Sequence, residues 1–395
     1  MQYALIEGEK RLEVSIEATL WWKLSRFYGM ADGTTIAQAP VPSNSYRRAV
    51  MVVRFKGLMR VATGALMLVG LLATPNTYAE ELTKLKFTLD WRFEGPAAPF
   101  LLAKAKGYFA AEGLDVTIDT GAGSAGAVTR VATGAYEMSF ADFNALVEYD
   151  AQNPGSKMQA VYMVYNYTPA AVVSLKKSGI AKPADLVGKT LAAPVFDAGR
   201  KAFPAFAKSN KFDPASVKWQ SVDPAIRENL LARGDVDAIT GFSFTSVLNL
   251  EARGVKESDI NVMLYNNYNV ELYGNAIIAS PKIIAEKPKA VEGFVRAFNK
   301  ALKETIANPD AAASYVKATE PLVDLALETR RLKMALNAVV ITPEAKANGL
   351  GAVTEDRMQR SIAETAAAYN LAKIPSGKEL FNPAFLPPKA DRMIK

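Results

Sequence analysis

Residues 89–116 read LDWRFEGPAAPFLLAKAKGYFAAEGLDV. An apolar run over 86–89 stops at a polar and aromatic knot, 90–94. A helix-like segment follows, and GYFAAEGLDV leads into a second strand. In an α/β sheet, the groups just past a strand's C-terminal end line the crevice where ligands bind. The segment therefore sets Trp91, Arg92, Phe93 and Glu94 where a small molecule can be gripped.

Working outward, short apolar strands alternate with helical segments, the pattern of βαβ units. The first block reads as strand 85–89, helix 97–111, strand 115–119, helix 124–133, strand 137–140, helix 143–151 and strand 158–164, with another extended run over 169–175. The pattern restarts with strand 190–193, helix 199–208 and strand 217–221. Asp223-Pro224 then gives an Asx cap with proline in the first turn, opening a helix over 225–233. Strand 238–240, helix 243–252 and strand 261–264 complete this block. A last strand covers 275–279, and from Pro281 the chain is nearly all helical, ending in a Pro-rich tail around Pro383–Pro388. About 316 residues follow position 79, which suits two lobes better than one core. The expected crossovers lie near 176–183 and 265–275. That divides the chain into a first lobe over 80–177 and 271–395 and a second over 178–270, with the C-terminal helices packed on the first lobe.

The 395 residues include no cysteine and no histidine. That excludes thiol nucleophiles, thiolate metal sites, disulfides and histidine general bases. No cofactor or metal is expected. The net charge is +7. Residues 1–79 hold nine Lys/Arg and five Asp/Glu, and the remainder carries a net +3 with no long basic run. Nucleic acid is not an expected partner.

From Met51 the chain reads MVVRFKGLMRVATGALMLVGLLATPNTYAE. Arg54, Lys56 and Arg60 form a positive segment, 61–73 is an uncharged apolar run, and Thr77-Tyr78-Ala79 is a small-x-small cleavage site. These are the three parts of a secretory signal, and they place the mature start at Glu80 and the protein in the periplasm. The apolar run falls short of the roughly 20 residues a membrane span needs. Because such signals act at an N-terminus, translation is expected to start at Met51, with residues 1–50 either an over-long gene start or an extension.

This layout resembles the substrate-binding proteins of ABC importers, in the class that takes nitrate, sulfonates, taurine and thiamine-pyrimidine precursors. The residues that carry the resemblance are LDW (89–91), GYFAAEGLDV (107–116), GSAGAVTRVATGAYEMSFAD (123–142), PADLVGKTLAAP (183–194) and ELYGNAIIAS (271–280). The resemblance implies a type 2 periplasmic-binding-protein clamshell. Its two βα lobes, joined by two crossovers, would close on one small ligand by hinge bending. It also implies a monomer that hands its ligand to an ABC permease and ATPase. Precursor binders of the class have an Asn and a His shortly after the tryptophan; here those places read FEGPAA. The class includes eukaryotic enzymes that make the thiamine pyrimidine with a histidine and a cysteine-rich segment, and this chain has neither residue type.

The candidate ligand residues sit at strand ends and crossovers. Trp91 is expected to stack on a flat ring, with Phe93 beside it and Glu94 accepting hydrogen bonds. Gly123 and Ser124 open a helix whose free N–H groups favour a carboxylate, sulfonate or phosphate; a plain glycine turn with Ser124 as N-cap is the alternative. Asp142 either caps the helix after it or meets a ligand N–H. Tyr165 and Asn166 follow the fourth strand. In the second lobe Phe196 is expected to face Trp91, with Asp197 either at the ligand or paired with Arg200. Phe242 and Phe244 sit at the equivalent turn, and Tyr268, Glu271 and Tyr273 border the return crossover. Eight aromatics and four acids against two arginines favour a planar organic or heteroaromatic solute over a bare inorganic anion. Sulfonate, taurine or aromatic-acid binding remains open, as does a heterocycle-making enzyme on the same fold, and so does a ligand-sensing module of a membrane receptor.

Overall fold

The computed structural model describes residues 81–394. The secretory-signal and start-site readings fall on residues 1–80 and lie outside the described residues. Among the described residues, no helix is long and apolar enough to cross a membrane.

Two five-stranded sheets organise the chain, with strand orders β2-β1-β3-β10-β4 and β7-β6-β8-β5-β9. The first uses β1 (Thr83–Thr88), β2 (Leu114–Asp119), β3 (Met138–Asp142), β4 (Gln159–Met163) and β10 (Asn275–Ala279). The second uses β5 (Ala170–Leu175), β6 (Thr190–Ala193), β7 (Lys218–Ser221), β8 (Ala238–Phe242) and β9 (Ile260–Leu264). In each sheet four strands run in one direction, and one antiparallel strand is inserted between the third of them and the far edge. β3, β5 and β10 are buried at every position, as central strands covered on both faces must be, whereas edge strand β2 alternates buried and exposed.

Between the strands run α1 (Ala98–Ala105), α2 (Tyr108–Ala111), α3 (Ser124–Ala132), α4 (Phe143–Gln152), α5 (Ala198–Ser209), α6 (Arg227–Arg233) and α7 (Ser243–Glu251). The single helix expected over 97–111 is two, because Gly107 takes a left-handed φ of 70° between them. That conformation suits glycine and breaks the helical ladder. The C-terminal part is helical: α8 (Pro281–Glu286), α9 (Pro288–Ala307), α10 (Pro309–Thr319), α11 (Leu325–Ala335), α12 (Pro343–Asn348) and α13 (Glu355–Tyr369), then short turns.

The first lobe's core is aromatic. Phe100 stacks on Phe298 at 4.4 Å, and Phe87 and Phe109 lie 4.8 Å from Phe294, which locks α9 over α1 and the sheet. The second lobe has its own cluster of Phe203, Phe206, Trp219 and Tyr265.

The first crossover falls at 164–169, not at 176–183. The extended run assigned to the first block is β5, and its ladders to β8 and β9 place it in the second sheet. The return crossover occupies 265–274. The two run side by side: Gly274 donates to the Tyr165 carbonyl at 3.0 Å and Thr168 to the Leu272 carbonyl at 3.0 Å. The C-terminal helices cover the first lobe as expected, and they also reach the second. Arg331 on α11 donates to the Phe244 and Thr245 carbonyls, and Lys208 on α5 donates to carbonyls at the end of α13.

Candidate functional site

The C-terminal ends of β1 and β3 in the first lobe face those of β6 and β8 in the second across a cleft of about 560 Å³, counting its open mouth. Of the expected ligand residues, Trp91, Glu94, Gly123, Ser124, Tyr165, Asp197, Phe242 and Phe244 line it. Sequence reasoning did not single out Asp90, Pro96, Phe140, Arg227 and Thr245, which line it as well. Asp90 was visible in LDW as the polar residue next to the buried strand end. Arg227 gave no signal, because an arginine in a helix's first turn reads as surface.

The floor is aromatic. Tyr165 stands edge-on to Phe140 at 5.3 Å and edge-on to Phe242 and Phe244 at 6.4 Å. Trp91 carries the Arg227 guanidinium of the opposite lobe 5.0 Å from its ring centroid. Its buried indole Nε1 has no hydrogen-bond acceptor.

Arg227 is 1% exposed. It donates to Glu228 at 2.6 and 2.9 Å, to Asp197 at 3.2 Å and to the Thr240 carbonyl at 3.1 Å. A Cβ on Gly241 would come within 2.5 Å of the guanidinium, so glycine there makes room for it. Asp197 accepts the Arg200 backbone N–H as N-cap of α5. Its ion-pair partner is Arg227, not Arg200; the Arg200 side chain instead bonds the Ala193 carbonyl and Ser221 and lies over Trp219. Burial holds the Asp197 carboxyl above its ordinary value, with Arg227 opposing.

On the facing wall, Asp90 accepts from Ser124 Oγ at 2.7 Å and Asn275 Nδ2 at 2.8 Å. Burial pushes its carboxyl up to about 6 despite those bonds. Glu94 accepts from Thr245 of the other lobe at 3.0 Å, from Arg92 at 3.2 Å, and lies 3.5 Å from Arg331. Arg331 is itself paired with Glu328, which accepts the Gly95 N–H at 2.6 Å.

The N-terminus of α3, expected as an anion site, is covered by the second lobe. Ala125 N–H donates to the Phe196 carbonyl at 3.3 Å. Gly123 has φ 142°, and a Cβ there would sit 2.2 Å from that same carbonyl oxygen. Only glycine permits both the conformation and the approach. The Phe196 ring lies over Gly126 and is half exposed; it joins the lobes beside the cleft and does not face Trp91 within it.

The other expected residues serve the scaffold. Phe93 packs on the first lobe's core. Asp142 caps α4 through the Asn144 N–H at 2.9 Å, and burial raises its carboxyl to about 7. Asn166 accepts from Thr342 at 2.6 Å, and its carbonyl receives Arg357. Tyr273 is buried and donates to Glu344 at 2.6 Å, and the Arg357 guanidinium lies between the rings of Tyr167 and Tyr273 at 4.4 and 4.3 Å. Tyr268 packs on Phe206, and Glu271 is exposed near Arg360. Asn166, Tyr268, Glu271 and Tyr273 lie on the crossovers but outside the lining of the cleft. Among the described residues, no group of three acidic side chains is arranged to hold a metal ion.

A family model described as NMT1/THI5 like matches residues 96–312. Among curated relatives, a riboflavin-binding protein RibY of Chloroflexus aurantiacus is 29% identical over 60% of this chain and 68% of its own length. A formylaminopyrimidine-binding protein of Halalkalibacterium halodurans is 24% identical over 60% and 71%. A 4-amino-5-hydroxymethyl-2-methylpyrimidine phosphate synthase of Legionella pneumophila is 20% identical over 60% and 74%. Among solved structures, the alkanesulfonate-binding protein SsuA of Xanthomonas axonopodis pv. citri, bound to MOPS, superposes with a TM-score of 0.60 at 14% identity, covering 77% of this chain and 100% of that one. The fold is that of the periplasmic binding proteins.

Proposed function

This chain belongs to the NMT1/THI5-like family, and from that premise we propose that it is a periplasmic receptor delivering a small planar organic solute to an ABC importer. One observation carries the reading: the inter-lobe cleft is walled by aromatic rings from both sides, Trp91, Phe140 and Tyr165 from one lobe and Phe242 and Phe244 from the other. Flat rings gain most from such walls, by stacking and by burial of both faces. The leader-like segment over 51–79 and the relatives named as binding proteins support export and transport. The receptor acts as a monomer and docks on a permease that works with an ATPase.

Binding closes the lobes about the paired crossovers. The bonds from Thr245 to Glu94 and from Ala125 to Phe196 form only when the lobes meet, as does the Lys201–Glu148 ion pair at 2.9 Å. A chemical step is disfavoured, since the chain has no histidine or cysteine to move protons or form covalent intermediates. The synthase among the relatives keeps an enzyme as the second reading.

Native mass spectrometry of gently purified protein, followed by calorimetric titration with pyrimidines, flavins, aromatic acids and alkanesulfonates, tests the proposal. A co-purified planar heterocycle, or saturable binding of one without turnover, is the expected result. Trp91→Ala should weaken that binding by roughly tenfold or more, the effect of losing one stacking ring and its buried area. Turnover of the bound compound, or no saturable binding across the panel, would sink it.

A further inference from the structure

Arg331 stands on α11, outside the lining of the cleft, and is 1% exposed. The five N–H donors of its guanidinium all find acceptors. Nε and one hydrogen of Nη2 go to Glu328, three residues earlier on the same helix, at 2.9 and 3.1 Å. The other three leave the lobe. Nη1 donates to the Phe244 and Thr245 carbonyls at 3.2 and 3.1 Å, and Nη2 to Asn249 Oδ1 at 2.9 Å, all on α7 of the second lobe. α11 itself belongs to the first lobe, where its Leu332 and Ala335 pack in the core.

The same helix fixes the first-lobe wall. Glu328 accepts the Gly95 N–H, and a Cβ on Gly95 would lie 2.4 Å from the Glu328 carbonyl oxygen, so α11 rests directly on the turn between Glu94 and Pro96. Glu94 and Pro96 line the cleft, and so does Thr245 of the other lobe. The Thr245 hydroxyl donates to Glu94 Oε2, and Arg331 Nη1 stands 3.5 Å from that oxygen. One side chain therefore backs the point where the two walls touch. Its charge balance travels with it. Glu328 is on its own helix and Glu94 in its own lobe, so parting the lobes exchanges three bonds to neutral acceptors for bonds to water and strands no carboxylate. Arg227 differs, because the carboxylates it bonds, Asp197 and Glu228, both lie with it in the second lobe.

We infer that Arg331 is a latch of the clamshell, a positioning residue that stands behind the cleft and holds its two walls together through α7. The inference rests on the receptor reading above in that the lobes open and close. It goes beyond that reading by placing control of closure on a helix outside the cleft. Arg330, the next residue, continues the same seam at the surface by pairing with Glu251 at the end of α7.

Because the chain has no cysteine, two introduced ones carry spin labels at unique places: Thr117→Cys on edge strand β2 and Lys218→Cys on edge strand β7, both exposed. Electron–electron double resonance on the labelled full chain then reads the distance between the lobes. Arg331→Lys keeps the charge beside Glu328 but cannot fork to three acceptors. It should raise the ratio of open to closed molecules by about tenfold or more, the effect of losing at least one charge-assisted bond. Asn249→Ala removes one acceptor from the other side of the seam. Its amide nitrogen has no partner to lose among the described residues, so this variant should shift the ratio the same way and decides the matter if a thermal melt shows that Arg331→Lys does not fold. The two changes together should shift it by less than the product of their separate effects, as for groups that share a bond. Arg392→Lys is the control: that buried arginine also bonds carbonyls, those of Pro387, Asn348 and Leu350, but all within the first lobe. Its distances should match the wild type. Unchanged distances in Arg331→Lys and Asn249→Ala, or an equal shift in Arg392→Lys, overturn the latch. The receptor reading, which is tested by binding, then still stands.

Discussion

Asp90 and Asp197 follow strands β1 and β6 on opposite walls of one cleft, and both are nearly excluded from solvent. Asp197 is matched within its own lobe by Arg227, which also bonds one oxygen of Glu228 and the Thr240 carbonyl. Asp90 is matched by neutral donors only. The second lobe thus offsets the burial of its cleft carboxylate with a countercharge. The first lobe offsets the burial of its own with a hydroxyl and an amide. Acids placed alike after two strand ends are held by different means, and those means differ in how much they cost to remove.

Removing the internal match on the second jaw should have the largest effect. Arg227→Met strands Asp197 and Glu228 as buried charges, and breaking such a pair costs about 3–5 kcal/mol. Urea unfolding should show that loss; a loss under about 1 kcal/mol would mean that Asp197 is no better matched than Asp90. The next effect concerns how the jaws meet. Gly123→Ala places a Cβ against the Phe196 carbonyl in a backbone conformation alien to alanine, for about 1–3 kcal/mol. Gly134→Ala is the control, since Gly134 has a positive φ of 76° with nothing within 4 Å of the added Cβ. Only the Gly123 variant should also open the lobes, seen as a larger radius of gyration in X-ray scattering; equal behaviour of the two would deny the inter-lobe contact its role.

The smallest effect is a pH dependence. Burial raises the Asp142 carboxyl from 3.8 to about 7, with the Asp90 charge adding to it. Between those values the folded chain holds a proton the unfolded chain has released, so stability falls as pH rises from about 4 to about 7. Asp142→Asn keeps an N-cap oxygen for Asn144 and removes that slope. Relative to wild type, the variant should gain about 1 kcal/mol or more between pH 4 and pH 8 in denaturant melts. A difference independent of pH would place the Asp142 carboxyl at its ordinary value.

The strands and their order along the chain were legible in the sequence because apolar runs ending at polar or glycine turns carry their own signal. β6 (Thr190–Ala193) and β10 (Asn275–Ala279) fall where expected to the residue. Sheet membership was not legible for β5, since a fully buried strand reads the same whichever neighbours it pairs with. Trp91, Tyr165, Phe242 and Phe244 were legible as cleft residues from their place after strand ends. Arg227 was not, because its burial depends on Gly241, Asp197 and Glu228, which come together only in the fold. Asn166 was read as a cleft residue from its place after the fourth strand and Tyr273 from its place beside the return crossover, yet their side chains meet Thr342 and Glu344 at the start of α12.

The insertion of β10 between β3 and β4 also sets the order in which the molecule can be completed. All five strands of the second sheet lie within 170–264, so that lobe's strands are in hand early. The first sheet lacks its central antiparallel strand until residue 279 has been made, and α9, which covers its aromatic core, comes later still. Until then β3 and β4 each present an unpaired edge, the kind of surface that recruits other chains. A chain stopped before residue 275 should therefore aggregate through its first lobe.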